Sequence, residues 1–245
     1  MTFDRLQART FSRRPVVCMI GLCALTRVVL PGLRSPALAQ ASPVDTLVQQ
    51  AIAVMTALRS YHFSLSYTRG QTVLVRRARL HMKRARGDVE RPDRLRVEVE
   101  AKLGPIGVDV SVIAIQQRVW VDFKGITDEL SIEDDVAALL LDPTALLLGA
   151  VSTIEEPRLV GREEINGTAA ARISGVLDPR RLPAEAAKSV FSEARPNPID
   201  LWLDDDGRIL RLRQSGPLIK SDSDDVIRQI DLSRHNEPFD IEPPD

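Results

Sequence analysis

Two periodicities divide the chain. Val44, Leu47, Val48, Ala51, Ile52, Met55 and Leu58 recur at three- and four-residue spacing. That predicts one helix with a single apolar stripe, running through Arg59. Ser42-Pro43 in front supplies an N-cap and a proline at the first helical position. The stripe suits a helix that lies across a sheet and lines a cavity, and equally one that packs in an ordinary core. From Tyr61 onward the period is two. Phe63, Leu65 and Tyr67 alternate with His62, Ser64 and Ser66, and Leu95, Val97, Val99 and Ala101 with Arg94, Arg96, Glu98 and Glu100. Ile106, Val108, Val110 and Val112 follow the same rule, as do Val119, Val121 and Phe123. Val73 to Arg86 reads as one long basic strand, with Gly87-Asp88 and Gly104-Pro105 punctuating the series. Successive strands with short turns predict an antiparallel meander, curved, with one apolar face and one face to water.

Ile132 to Ile154 breaks this pattern. Val136–Leu141 and Ala145–Val151 are apolar helical turns split by Asp142-Pro143-Thr144, a helix start. The run is too short and interrupted to span a bilayer. Its leucines face several directions, so it reads as a lid over the sheet or as a buried core helix. Leu159 to Arg213 then reads as hairpin, short helix, hairpin. The first hairpin turns on Asn166-Gly167, the dipeptide that most readily takes both positive φ values of a type I′ turn. Asp178-Pro179 opens an alanine-rich helix to about Phe191. The second hairpin turns on Asp204-Asp205-Asp206-Gly207, between Ile199–Leu203 and Arg208–Arg213. Ser221 to Asp225 is a solvated turn before a last strand, Val226 to Arg234, and the proline-rich, acidic residues 237–245 form a loosely held tail.

Composition changes this picture mainly at the N-terminus. Arg5, Arg9, Arg13 and Arg14 precede an apolar run from Val16 to Leu25, and Ala37-Leu38-Ala39 is a small-x-small cleavage site. Residues 1–39 therefore read as an export signal, with the processed chain starting near Gln40. An uncleaved membrane anchor is the other reading, which Arg27 disfavours. Ser12-Arg13-Arg14-Pro15-Val16-Val17 fits a twin-arginine pattern. Both cysteines, Cys18 and Cys23, fall in this segment, so the processed chain has no thiol. Six of the 33 basic and one of the 34 acidic residues also fall there, leaving 27 against 33, a net charge of −6. An acidic chain with only 4% aromatic residues lacks the basic, aromatic surface of a nucleic-acid binder.

Catalytic signatures are absent. His62, His81 and His235 are scattered, and no His-x-x-x-His, Gly-x-Ser-x-Gly or glycine-rich phosphate loop occurs. Ser174-Gly175 and Ser215-Gly216 read as strand ends. The acidic runs at Asp204 and Asp222 lack the alternating oxygens and distal glutamate of a calcium loop. No enzyme, metal or cofactor is expected.

Four features in order carry a resemblance: Ala57-Leu58-Arg59-Ser60-Tyr61-His62 at the end of the first helix, the Val119-Trp120-Val121 strand, the Gly161–Gly175 hairpin, and Pro198-Ile199-Asp200-Leu201-Trp202-Leu203 with its turn. Over residues 43–236 the chain resembles the LppX/LprG-like (LppX_LprAFG) lipoprotein family, lipid-carrying proteins of the cell envelope. The resemblance implies an α+β, LolA-like fold, a curved antiparallel half-barrel whose concave face is covered by helices and encloses a cavity for acyl chains. The expected cavity wall is Phe63, Leu65, Val97, Val99, Val110, Val121, Leu146, Leu147, Leu201 and Leu203. It implies an extracytoplasmic carrier of lipid or glycolipid that meets membrane or envelope transport proteins. The alternative is a non-catalytic envelope adaptor that binds a protein partner with the same half-barrel. Family members are lipidated on a cysteine after the signal core. Here the bulky Leu22 precedes Cys23 where a small residue is expected, a departure that argues against lipid anchoring.

Overall fold

A computed structural model describes residues 42–75, 80–130, 143–182, 195–218 and 222–244. The export signal with both cysteines, the apolar run 136–142 and the alanine-rich residues 183–191 lie outside the described residues. Helix α1 (Pro43–Ala57) starts as the sequence predicts, with Ser42 Oγ accepting from the Val44 amide at 3.4 Å. It ends at Ala57, two residues early, because Leu58 turns extended and is buried as the C-cap. Val48, Ala51 and Met55 are its buried stripe.

Twelve strands of the described residues form one antiparallel sheet that does not close: β1 (Ser60–Arg69), β2 (Thr72–Val75), β3 (Leu80–Glu90), β4 (Arg94–Leu103), β5 (Ile106–Ile115), β6 (Arg118–Phe123), β7 (Ile126–Leu130), β8 (Ile154–Ile165), β9 (Thr168–Leu177), β10 (Asn197–Leu203), β11 (Ile209–Ser215) and β12 (Ile227–Ser233). The order is β7-β6-β5-β4-β3-β1-β12-β11-β10-β9-β8, with β2 paired to β3 off this path. Two meanders are thus joined along β1 and β12. A second helix, α2 (Pro143–Ser152), and a 3-10 turn at Pro179–Arg181 complete the elements of the described residues. Asn166 and Gly167 take φ of 50° and 83°, the expected turn.

Apolar residues of the N-terminal meander (Val97, Val112, Val119) and of the C-terminal one (Ile173, Leu201, Leu203) belong to a single core with Val48, Ala51 and Met55. Eight strand spacings separate β6 from β9, about 38 Å if the sheet were flat. The two helices of the described residues, each about 10 Å wide, cannot fill that span. The sheet curls over them, and the helices occupy its concave face.

Four local expectations change. Val73–Arg86 is not one strand but the paired strands β2 and β3. Gly87-Asp88 is strand interior, not a turn. A Cβ on Gly87 would stand 2.8 Å from the Phe63 ring and 2.3 Å from Arg96 O, so the glycine admits a close ring rather than a bend. The turn falls at Arg91–Asp93 instead. Ser174-Gly175 likewise lies inside β9. The tail is fastened over its first half. Ser60 Oγ donates to Glu237 O, Arg96 Nη1 to Asp240 O and Arg94 Nη1 to Ile241 O, and Ile241 is buried. A backbone carbonyl serves any arginine within reach, so the proline-rich composition did not reveal these bonds.

Candidate ligand-binding cavity

The registers put one row of side chains across the concave face. Ile173 lies opposite Leu201, Leu201 opposite Leu212, Leu212 opposite Ile230 and Ile230 opposite Leu65. Leu65 faces Ala85, Ala85 faces Val99, Val99 faces Val110 and Val110 faces Phe123. Directly opposed residues of antiparallel strands share a face, so the alternation read on β1, β4, β5 and β6 holds, and the same row continues through β3, β9, β10, β11 and β12. At the centre of the row, where β1 meets β12, the wall draws back. A cavity of about 340 Å³ opens there beneath α2, at the small end of the range of ligand pockets.

Phe63 and Leu65 form its floor, with Tyr61 and Tyr67 on the same face of β1. Leu146 and Leu147 of α2 form its roof, and Leu212 and Ile230 one side. Tyr61 O–H and Thr144 Oγ1 lie 3.1 Å apart in buried surroundings and hold the start of α2 over β1. Thr144, Gly149, Ala150 and Val151 are buried, while Leu146, Leu147 and Leu148 are half-buried against the core. Helix α2 therefore packs in the core on one side and bounds the cavity on another.

Of the ten candidate wall residues, the cavity brings together Phe63, Leu65, Leu146 and Leu147. Val97, Leu201 and Leu203 are in the solid core. Val99 and Val110, further along the row, and Val121, beside it on the same face of β6, pack against that core. They share the concave face but do not border the cavity, because periodicity assigns a face and not a position along it. The residues missed on β11 and β12, Leu212 and Ile230, could have been found only from cross-strand register.

The end of the cavity towards Tyr67 is polar. Tyr67, Arg228 and Gln214 are cross-strand neighbours. Burial pushes the Tyr67 hydroxyl up from its ordinary value, and it donates to Thr72 Oγ1 at 2.9 Å. Arg228 Nη2 meets Asp222 Oδ2 at 2.6 Å, with side-chain exposures of 9% and 0%. Asp222, expected in a solvated turn, is thus buried. Its carboxylate also accepts from Thr72 Oγ1 at 2.6 Å and from Leu218 N at 2.8 Å. The acidic run around it signalled solvent because sequence does not show which carboxylate has an arginine in reach.

The solvent face of the sheet is charged. Arg86 and Glu98 pair at 2.6 Å, and Arg172 and Arg213 hold Asp200 at 3.1 and 2.9 Å. Burial pushes the Asp200 carboxyl up, but hydrogen bonds from Ser174 and both arginines outweigh it and hold it below the usual carboxylate range. His62 Nδ1 and Arg96 act in the same sense on Asp88. Among the described residues no group of histidine, cysteine, aspartate or glutamate is placed to hold a metal ion, and no helix is long and apolar enough to cross a membrane.

An open antiparallel half-barrel curled over helices, with an apolar cavity between them, is the α+β architecture expected from the resemblance. The chain belongs to the LppX_LprAFG lipoprotein family, whose model matches residues 43–241. It is similar to LprF from Mycobacterium bovis at 18% identity and a TM-score of 0.59, with 81% of this chain and 95% of that one covered. LppX from Mycobacterium tuberculosis aligns at 18% identity and a TM-score of 0.54, covering 80% and 97%. No curated protein matches the chain in sequence.

Proposed function

We propose that the protein is an extracytoplasmic carrier that shields the acyl chains of a lipid or glycolipid while they cross the aqueous envelope. The observation that carries this is the cavity beneath α2, walled by aliphatic and aromatic side chains. Each methylene moved from water into such surroundings gains about 0.8 kcal/mol, so a chain of about sixteen carbons gains on the order of 10 kcal/mol before ordering costs. Affinity then needs no elaborate polar site, which fits a sequence without catalytic signatures. We read the chain as non-enzymatic, exported, processed near Ala39 and free of a lipid anchor at Cys23.

Mass spectrometry of organic extracts from the purified processed protein tests the carrier reading. A co-purifying acyl lipid in near-stoichiometric amount is the expected result. Absence of lipid, together with failure of the delipidated protein to take up a fluorescent acyl probe, would turn the reading to an adaptor for a protein partner. N-terminal sequencing that begins at Cys23, or a diacylglyceryl mass there, would overturn the processing assignment.

A further inference from the structure

Two hairpin tips of the N-terminal meander carry apolar side chains that the fold leaves in water. Ile106, Phe123 and Ile126 are 57%, 38% and 66% exposed. Leu103 lies opposite Ile106 across the β4–β5 turn, and Phe123 opposite Ile126 across the β6–β7 turn. Alternate turns of a meander share an end, so both tips lie at one end of the sheet. Val110 is opposite Phe123, and Ile106 stands four residues before it. The first tip therefore reaches about 13 Å further along the strands than the second. A Cβ added at Gly104, Gly107 or Gly125 would meet nothing within 4 Å, so both tips project.

Charge marks the same place. Residues 102–107 and 123–126 contain Lys102 and Lys124, both exposed, and no acidic residue, in a chain whose processed part is acidic overall. Arginines of the neighbouring strands are matched, Arg84 with Glu100, Arg86 with Glu98 and Arg118 with Glu129. Among the described residues Lys102 and Lys124 form no ion pair, and Lys124 Nζ lies 5.5 Å from the centre of the Phe123 ring. Asp122 is engaged by the β6–β7 turn, accepting from Gly125 N at 3.2 Å and Thr127 Oγ1 at 3.1 Å. Asp109 and Asp128 are set back along their strands.

We propose that these two tips dock the protein on an anionic lipid bilayer. Ile106, Phe123 and Ile126 enter the acyl boundary, and Lys102 and Lys124 meet lipid phosphates. Apolar side chains flanked by long cations make an interfacial anchor, because the lysine stem follows apolar surface while its ammonium stays in water. Projecting tips suit a deformable lipid surface, whereas a protein partner needs a matching hollow. The concave row connects the tips to the cavity. Ile126, Phe123, Val110, Val99, Ala85 and Leu65 are opposed in succession, and Leu65 is in the cavity floor. Docking goes beyond the carrier reading and stands without it; together they put cargo exchange at this rim.

The test uses the processed chain with vesicles of phosphatidylcholine and phosphatidylglycerol in equal parts. Cosedimentation should show binding that weakens with salt and with pure phosphatidylcholine. The processed chain has no thiol, so Ile126→Cys gives one site for an environment-sensitive dye. Its emission should brighten and shift to the blue on vesicles. The same dye on Gln117→Cys, at the other end of β6, should not respond. Ile106→Ser with Ile126→Ser should lower vesicle affinity about tenfold or more. Lys102→Gln with Lys124→Gln should weaken it and flatten the salt dependence. These side chains are exposed, so the fold and uptake of a soluble acyl probe should be unchanged. No sedimentation of the parent, unchanged affinity of the isoleucine double variant, or an equal dye response at position 117 overturns the docking and leaves the carrier reading intact. Salt-independent binding overturns the part given to the lysines. Dimers that the isoleucine substitutions dissolve, without vesicle binding, replace the docking by contact between copies. Vesicle binding without probe uptake upholds the docking and overturns the carrier reading.

Discussion

Gly87 shows how a single missing side chain sets the packing of the concave face. A Cβ there would stand 2.8 Å from the Phe63 ring and 2.3 Å from Arg96 O, too close for either to stay in place. Gly87→Ala forces the ring or β4 to move, and overpacking of this kind costs about 1–3 kcal/mol. Urea unfolding should show that loss with an unchanged m-value, and an alanine variant as stable as the parent would remove the packing argument. Asp200 supplies a pH-dependent counterpart. Its carboxyl lies below the ordinary value in the folded state, so the unfolded chain binds the proton more readily. The stability it contributes is complete above the unfolded value of about 4 and is lost as pH falls through the lowered folded value. Asp200→Asn should cost about 1–2 kcal/mol at pH 7, since its partners are partly exposed. It should also flatten the fall in stability below pH 4 in acid titrations followed by circular dichroism. An unchanged acid limb would assign that limb to other groups, Asp88 first among them.

Strands and helices were legible in proportion to how local their signals are. Period-two alternation located most of the meander and assigned Val97, Val99, Val110, Val121, Leu201 and Leu203 to the helix-covered face. The Asn166-Gly167 turn and the Ser42-Pro43 cap each rest on two residues and were readable as such. Short β7, one residue past the Lys124-Gly125 turn, was not found, because Thr127, Asp128 and Glu129 give it no apolar alternation. Phe63 and Leu65 were legible as cavity residues. Leu212, Ile230 and Arg228 were not, since their places depend on pairings between distant strands. Helix α2 has a surface divided between core and cavity. Leu146→Ser with Leu147→Ser should leave the half-barrel folded and weaken uptake of an acyl probe by about tenfold or more, through lost apolar burial. Amide exchange should slow on lipid loading more in residues 143–152 than in the strands, because filling the cavity orders its roof. Unfolding of the variant, with exchange in α2 indifferent to lipid, would make the helix ordinary core.

Across the molecule, the two meanders differ in kind from the joint between them. Within each meander most neighbours in sequence are neighbours in space, several joined by short turns such as Gly104-Pro105 and Asn166-Gly167. The joint pairs Phe63 with Leu232 and Leu65 with Ile230, almost the whole described chain apart. Such pairings are the slow part of assembly, because the loop must close before the contact stabilises anything. Removal of residues from 226 onward should leave two half-sheets with unpaired edges at β1 and β11, prone to aggregate. Size-exclusion chromatography should show loss of the monomer, and a soluble truncated monomer that still takes up lipid would refute this.

That joint also sets a clock. Ribosomes deliver Phe63 and Leu65 early and their partner strand almost last, and Ile230 and Arg228 both arrive with that strand. The floor of the cavity therefore has no side wall, and its polar end no guanidinium, until synthesis has passed Ser233. On the carrier reading proposed above, cargo is taken up only by a finished polypeptide, and loading is an event of the protein's later life and not of its making.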